Sequence, residues 1–310
     1  MDLSIVIVNF RAWQDLRACL KSLGYLSNSA TLRCEVIVVD NHSADGELTA
    51  FRRDFKWVQW LENPSNQGFA SGCNLGAAKA TGETLLFLNP DCVDHNQAIS
   101  ISWELARGSS QITGIQQQSE QGHLQKVGGQ FPRWWAVAGP GRWVCSFARR
   151  LKLSGSKGAF QWITGAFLMI SQRDFLALDG WDDEFFMYSE DIDLCRRGAG
   201  IGLRCKVLTQ CSIIHRHGGS SRINRQVKAL TRSEVTISRH RYIQKHLTGA
   251  KRLLAHAQVV LFEALPTIII SWLAPATAAG QRGGYLRRFY SQVKKTGQWR
   301  SPLVSHPPEL

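Results

Sequence analysis

The stretch that most constrains this chain is ETLLFLNPDC, residues 83–92. Leu85, Leu86, Phe87 and Leu88 form an unbroken apolar run between polar turn residues. Such a run predicts a strand buried on both faces of a parallel sheet. Pro90 has no N–H to give a ladder, so the strand must stop at Asn89-Pro90-Asp91. Asp91 then stands at the carboxyl end of a central strand, where open α/β sheets take their ligands. A carboxylate there suits a divalent cation held against a diphosphate. The plainer reading is an Asp that only shapes a strand-to-loop turn.

The residues before it supply the context. LSIVIVN, residues 3–9, is a β-branched run that predicts a first buried strand. Trp13, Leu16, Leu20 and Leu23 recur at helical spacing, and Gly24 is a plausible stop. EVIVVD, residues 35–40, predicts a second buried strand, followed by the turn-rich NHSADG, residues 41–46. Strand, helix, strand over about 40 residues is a βαβ unit with a right-handed crossover. Asp40 ends the second strand, where it either contacts a nucleotide's base or ribose or caps the turn. In ENPSNQGFASGCNLGAAKATG, residues 62–82, Asn63-Pro64 makes a turn, and Gly68 and Gly72 permit close backbone approach. A helix opening at Gly68-Phe69-Ala70 and ending near Gly82 would offer free N–H groups to a phosphate. The spacing is not that of a dinucleotide fingerprint.

Composition fits a globular chain of 310 residues, with 44% hydrophobic and 20% charged residues. The net charge of +13 is unevenly placed. Residues 1–215 balance 21 Lys/Arg against 21 Asp/Glu, whereas residues 216–310 carry 16 against 3. A neutral body with a basic tail implies an anionic partner for the tail. None of the eight cysteines forms a CxxC pair, so they read as reduced core thiols of a cytosolic protein. The amino terminus runs straight into strand-like sequence, which argues against a secretory signal.

Residues 98–106 predict a short helix, and Gln116 to Gln130 reads as loop or edge strands. Trp134, Trp135, Trp143 and Phe147 interleave with Arg133, Arg142, Arg149 and Arg150. This is either an acceptor-binding segment with aromatic platforms or ordinary core packing. WITGAFLMI, residues 162–170, predicts another strand, with Gly165 marking close approach of a ligand or backbone. A short helix over 172–178 follows. GWDDEFFMYSEDIDLCRR, residues 180–197, is the second anchor. Ser189, Glu190 and Asp191 suit the opening of a helix whose Ile192, Cys195 and Ala199 face the core. Asp191 either complements the helix dipole and pairs with Arg196 or serves as a general base. One such carboxylate suffices for a direct displacement, whereas a double displacement needs a second as nucleophile. Residues 206–214 predict a last strand, followed by His215-Arg216-His217-Gly218-Gly219-Ser220.

These motifs, in this order, resemble the nucleotide-sugar half and the acceptor-side motif of glycosyltransferase family 2 over about residues 1–225. The resemblance implies an α/β GT-A fold, a mostly parallel sheet flanked by helices. Asn89-Pro90-Asp91 stands where the family has an Asp-x-Asp metal motif. The Asn in place of the first Asp resembles the rhamnosyltransferase-like branch. By the same resemblance Asp91 and His215, with His217 as second choice, would hold Mn²⁺ or Mg²⁺. Asn9, Asp40, Asn66, Gly68, Phe69, Asn74, Asn89 and Gly165 would line the nucleotide sugar. Trp181, Asp182 and Glu190 would lie on the acceptor side, with Asp191 as base. Gly218, Gly219 and Ser220 would cover the diphosphate, with Arg216 or Arg222 as cation.

The tail differs in kind. Residues 226–252 predict a basic helix, and AQVVLFEALPTIIISWLA, residues 257–274, is the most apolar stretch in the chain. Glu263 and Pro266 interrupt it, which predicts a kinked helix lying on a bilayer and not a span. Basic and aromatic residues over 282–300 suit an anionic leaflet; a helical subdomain packed on the core or in a dimer is the alternative. The expected organisation is a transferase domain over 1–225, a helical membrane-associating appendage over 226–300 and a disordered tail over 301–310. The expected activity is inverting transfer of a sugar, best L-rhamnose from dTDP-L-rhamnose, to a hydroxyl of a lipid-linked or cell-surface glycan. The expected location is cytoplasmic, at the inner face of the plasma membrane, with no nucleic-acid partner and with room for an oligomer. Transfer from another UDP-, GDP- or dTDP-hexose is the alternative. A sugar nucleotidyltransferase is less favoured, because the first βα turn has no Gly- and Lys-rich triphosphate loop.

Overall fold

The computed structural model describes residues 1–150, 160–216 and 225–305. In chain order the elements begin β1 (Leu3–Asn9), α1 (Trp13–Leu23), β2 (Cys34–Asp40), α2 (Glu47–Asp54), β3 (Gln59–Glu62), α3 (Phe69–Ala77) and β4 (Thr84–Leu88). There follow β5 (Cys92–Val93), α4 (Ala98–Ala106), β6 (Gln111–Gln118), β7 (Gly128–Gly129), α5 (Gly139–Arg150), β8 (Trp162–Ile163), β9 (Phe167–Ser171) and α6 (Gln172–Ala177). The series closes with α7 (Glu190–Gly200), β10 (Arg204–His215), α8 (Arg225–His246), α9 (Gly249–Val259), α10 (Leu265–Leu273), α11 (Ala278–Thr296) and α12 (Pro302–Ser305). Two compact units result: residues 1–130, 160–183 and 190–220 form the first, and 131–159, 184–189 and 221–310 the second.

The first unit is built on a sheet of order β3-β2-β1-β4-β9-β6-β10-β5. β3, β2, β1 and β4 run parallel, as the βαβ reading predicts. β9 lies antiparallel to both β4 and β6, so the apolar run 85–88 sits in a mixed sheet and not an all-parallel one. Its residues are fully buried all the same, because groups packed on the sheet faces, such as Phe175 and Trp181 over Phe87, cover the side chains whichever way the neighbours run. Residues 162–170 are not one strand: Thr164, Gly165 and Ala166 interrupt them, and β8 pairs with β7 in a separate two-stranded sheet. β6 is an internal strand and not an edge or loop, because β9 and β10 pair on its two sides. Its Gln117 is 1% exposed, a buried polar residue that the polar sequence around it disguises.

α3 lies close on β1 because Gly72 and Gly76 face Val8 and Val6, whose methyl groups occupy the space a Cβ would take. α7 buries Glu190, Asp193, Leu194, Cys195 and Gly198. Ala199, expected inward, is exposed, since the helix turns Leu194 and Gly198 to the core instead. The free cysteines are buried except for Cys34 and Cys145, which are partly so.

In the second unit, α9 and α10 run on through a π turn at Val260–Ala264. Pro266 lacks an N–H and crowds the carbonyl four residues back, and the wider turn accommodates both defects without a break. α10 packs closely on α11 because Gly283 faces Ser271 and the Thr267 carbonyl. Ser301 is buried and donates to Glu234 at 2.9 Å, and Pro302–Ser305 form a helical turn. That hydroxyl answers a carboxylate that is otherwise buried, and residues 306–310 of the expected tail lie outside the described residues.

Candidate active site

The carboxyl ends of β1, β2 and β4 bring the predicted polar residues together. Asp40 is buried at the end of β2 and takes the Ser43 amide at 3.2 Å, the Ser43 hydroxyl and the Asn9 side-chain amide at 3.4 Å. Burial raises its pKa and these hydrogen bonds oppose the rise. Arg11 follows β1 and donates its backbone N–H to the Ser43 hydroxyl and its Nε to the Ser43 carbonyl, both at 2.9 Å. Arg11, His42 and Ala44 all have positive φ, at 52°, 64° and 50°. Three non-glycine residues in the left-handed region within two facing loops mark a backbone shaped for something other than stability.

Asn66 is engaged by the loop itself. Its side-chain oxygen accepts from Asn41 at 2.9 Å and from the Gly68 amide at 3.1 Å. Asn63 in turn donates to Asn41 at 2.9 Å. This buried asparagine chain fixes Gly68, whose φ of 91° suits glycine, at the start of α3. Asn74 holds the backbone of Trp181 from both sides, accepting from its amide at 2.9 Å and donating to its carbonyl at 2.8 Å. It therefore braces the 180–181 corner, and its polar ends are not left for a sugar as the resemblance implied. Trp181 is 2% exposed, edge-on to Phe87 and to Phe69. It packs in the core and offers no open face to an acceptor, because the β4 and α3 aromatics already cover it.

Asp91 and His215 meet where β5 pairs with the end of β10, in a register that sets His215 opposite Cys92. On its other side β10 shifts register against β6 between Leu208 and Ser212. His215 Nε2 lies 3.2 Å from Asp91 Oδ1, and both residues are buried. His215 Nδ1 lies 2.9 Å from Gln117 Oε1, and the His215 carbonyl accepts from Gln125 at 2.8 Å. With Gln117 taking the Nδ1 proton, Nε2 presents a lone pair to a carboxylate oxygen. That contact is repulsive unless a proton or a metal ion sits between them. The Cys92 sulfur lies within 4.8 Å of the other donor atoms. It gives its proton to the Ala166 carbonyl at 3.5 Å, and burial pushes the thiol well above its ordinary range. Asp91, Cys92 and His215 are thus the donors within reach of one another, and a hard cation such as Mn²⁺ or Mg²⁺ prefers the carboxylate and imidazole to the thiol.

Asp191, half-buried in the first turn of α7, accepts from the Gly165 amide at 3.3 Å and from the Ile192 amide at 2.8 Å. The next residue, Ala166, accepts from the Asn89 amide at 3.0 Å. Gly165-Ala166 thus ties the α7 carboxylate to the Asn89-Pro90-Asp91 turn. Burial raises Asp191 to about 6 and buried Glu190 well above the carboxylate range. Arg197 pairs with Asp193 at 2.8 Å, one turn along α7. Arg216 is engaged by Glu120 at 2.8 Å and by Asp15 at 3.7 Å, so it does not stand clear for a diphosphate. Asp182 is partly buried beside Trp181 in sequence. His217, Gly218, Gly219, Ser220 and Arg222 lie outside the described residues. Sequence reading passed over Arg11, Asn41, Ser43, Asn63, Gln117 and Gln125. The usable signals were the repeated Asn in NPSN and the Gln run inside an apolar strand.

Residues 4–135 match the glycosyl transferase family 2 model. Over 245 residues the chain is 23% identical to N-acetylglucosaminyl-diphospho-decaprenol L-rhamnosyltransferase of Mycobacterium tuberculosis, covering 71% of this chain and 77% of that one. It is 39% identical over 54 residues to rhamnosyltransferase WbbL of Escherichia coli, 17% of this chain and 20% of that one. The chain thus spans only a fifth or less of the length of some curated relatives it matches. In fold it is similar to mannosyltransferase PcManGT from Pyrobaculum calidifontis in complex with GDP-Man and Mn²⁺. The TM-score is 0.54 at 15% identity, over 95% of this chain and 81% of that one. The sheet order, the strand-end carboxylates and the sequence match agree: residues 4–135 are similar to glycosyl transferase family 2, and the chain has the GT-A fold.

Proposed function

We propose that this chain is a metal-dependent inverting glycosyltransferase that moves a sugar from a nucleotide donor to a hydroxyl of a lipid-linked or cell-surface glycan. The observation that carries the reading is the Asp91–His215 pair tied, through Gly165-Ala166, to Asp191. Asp40, with Asn9 and Ser43 around it, holds the nucleoside. Asn66, Gly68, Phe69 and Asn89 line the donor's path. Asp91 and His215 hold Mn²⁺ or Mg²⁺, which when bound neutralises the departing diphosphate. Asp191, raised to about 6 yet ionised at neutral pH, takes the acceptor proton as its oxygen attacks. Burial beside Asp191 pushes buried Glu190 well above the ordinary carboxylate range, which sets it apart from the working base. A single working carboxylate favours inversion over a retaining double displacement.

L-Rhamnose from dTDP-L-rhamnose is the preferred donor, supported by the Asn89-Pro90-Asp91 variant and by two relatives named as rhamnosyltransferases. The second unit serves contact with an anionic membrane on the cytoplasmic side. Gly249–Leu273 is long and apolar enough to cross a membrane by length and composition, with 22% of its most apolar window buried. Leu261, Leu265, Ile269, Trp272 and Leu273 are exposed, which suits a helix lying in the interface. The test is a panel of nucleotide sugars with Mn²⁺, read first by thermal shift and then by transfer to a polyprenyl-diphosphate-linked sugar. Stabilisation by dTDP-rhamnose with transfer that chelation abolishes supports the reading. Transfer unaffected by exhaustive chelation removes the metal from it, and pyrophosphate release from a nucleoside triphosphate replaces it with nucleotidyl transfer.

A further inference from the structure

The second unit contains a cavity of about 430 Å³ that the glycosyl-transfer reading does not use. Its lining includes Arg142, Arg232, Arg239 and Arg282, and its single acidic group is Glu263. Arg239 pairs with both oxygens of Glu263, and Arg142 reaches the same carboxylate at 3.5 Å. One carboxylate therefore answers two guanidinium groups. Arg282 gives an N–H to the Thr236 hydroxyl at 3.1 Å and keeps a buried Nε that has no hydrogen-bond acceptor. A second, smaller cavity shares Arg232, Arg282, Thr267 and Ile270 and adds Lys228 and the first-turn residues Ala278 and Ala279 of α11. First-turn N–H groups have no partner inside their own helix. Lys228 is the one charge it adds, and it is positive.

Arg239 and Arg282 are partly buried, where like-charge repulsion is dearer, and Arg142 and Arg232 reach the same carboxylate-lined cavity from the surface. Burial already holds Arg239 and Arg282 below the ordinary arginine range. A fold gains nothing from such a cluster on its own account. A dianionic group with several acceptor oxygens relieves it, since guanidinium forks match phosphate oxygens in pairs. Phe262 and Ile270 also line the cavity, and both are exposed on the same continuous α9–α10 helix as Leu261, Leu265 and Ile269. The cavity therefore opens onto apolar surface. Glu263 itself is turned inward by the π turn, a device that recurs at functional positions in helices.

We propose that this arginine cavity binds a phosphate monoester or diphosphate headgroup, with the apolar helix face taking the attached chain. The site rests on residues of the second unit alone and stands whether or not the reading of the first unit holds.

The experiment uses the full chain and vesicles of phosphatidylcholine carrying either phosphatidic acid or phosphatidylglycerol at matched surface charge. Inorganic pyrophosphate serves as the soluble probe. Binding to phosphatidic acid vesicles is expected to be about tenfold tighter than to phosphatidylglycerol vesicles. The double variant Arg232→Gln/Arg282→Gln should lose that preference yet keep its thermal shift with Mn²⁺ and dTDP. If that variant does not fold, Arg232→Lys/Arg282→Lys keeps the charge and removes the fork. It should lose the phosphatidic acid preference and keep phosphatidylglycerol binding. A pyrophosphate shift that either variant abolishes, without vesicle preference, supports the site with a soluble phosphate as its ligand. Equal binding of the two vesicle types together with no variant-sensitive pyrophosphate shift overturns the proposal, leaving only diffuse charge attraction.

Discussion

Nε2 of His215 faces Oδ1 of Asp91 across 3.2 Å, with Gln117 on the far side of the imidazole at 2.9 Å. The Gln117 side-chain oxygen on Nδ1 orients the imidazole so that Nε2 is turned toward Asp91. The antiparallel pairing of β5 with β10 provides the contact, and β6 provides the glutamine.

Gln117→Leu is expected to weaken Mn²⁺ binding 10- to 100-fold, roughly the range for removing an outer-shell partner of a metal histidine. The fold should survive, because leucine suits a buried position of an apolar strand. Calorimetric titration of Mn²⁺ in the presence of dTDP measures the effect. Unchanged affinity would detach Gln117 from any metal role.

Asp191→Asn should lower turnover by about 10²- to 10⁴-fold, the range for loss of a general base, with donor binding retained. In the wild type the rate should fall as pH drops below about 6, where the carboxyl protonates. The sign for stability runs the other way. A carboxyl raised from 3.8 to about 6 favours the folded state below 3.8 and loses that contribution as pH rises through 6. Asp191→Asn should therefore be more stable than wild type at pH 7, by about 1–3 kcal/mol, with the gap closing toward pH 4. Thermal melts at the two pH values decide it, and a variant that is less stable at pH 7 contradicts the assigned burial.

Gly76→Val places a branched side chain where Val6 already sits, in the closest approach of α3 to β1. Overpacking of this kind costs about 1–3 kcal/mol. A lowered Tm with reduced nucleotide binding is expected, because α3 carries the Gly68 corner. An unaltered Tm would mean that the helix can shift outward at no cost.

His240 and His256 stack in the second unit with Nδ1 atoms 2.8 Å apart, and Tyr290 lies 2.7 Å from His240 Nε2. Trp299 and Phe289 cover them, and Arg239 and Arg252 add positive charge nearby. Burial pushes His256 down from 6.5 to about 4 and His240 well below its usual value. The unfolded chain then binds protons that the folded chain refuses, so stability is lost as pH falls from 6.5 toward 4. His256→Gln should flatten this acid loss by up to about 3 kcal/mol. Parallel melting curves for wild type and variant across that window would refute the assignment.

Much of the first unit was legible locally. Residues 3–9, 35–40 and 85–88 announce themselves as strands because burial on both faces demands unbroken apolar runs. Asn89-Pro90-Asp91 and the Ser189-Glu190-Asp191 helix start are punctuated by residues whose backbone chemistry is fixed wherever they occur. Asn74 and Trp181 were legible as residues but not in their work, since the bracing of one by the other depends on α3 lying over the 180–181 corner.

By itself, then, the order of residues determined where strands end, which carboxylates stand at those ends and that positive charge gathers in the last third. Tertiary structure alone decided that β9 inserts antiparallel beside β4, that Gln117 backs His215, and that four arginines line one cavity with a single glutamate. The physical reason is range. Turn chemistry and apolar periodicity act between neighbours in the chain and leave their mark in composition. A buried hydrogen bond or a cluster of like charges joins residues brought together only by packing, and its partners carry no local sign of one another.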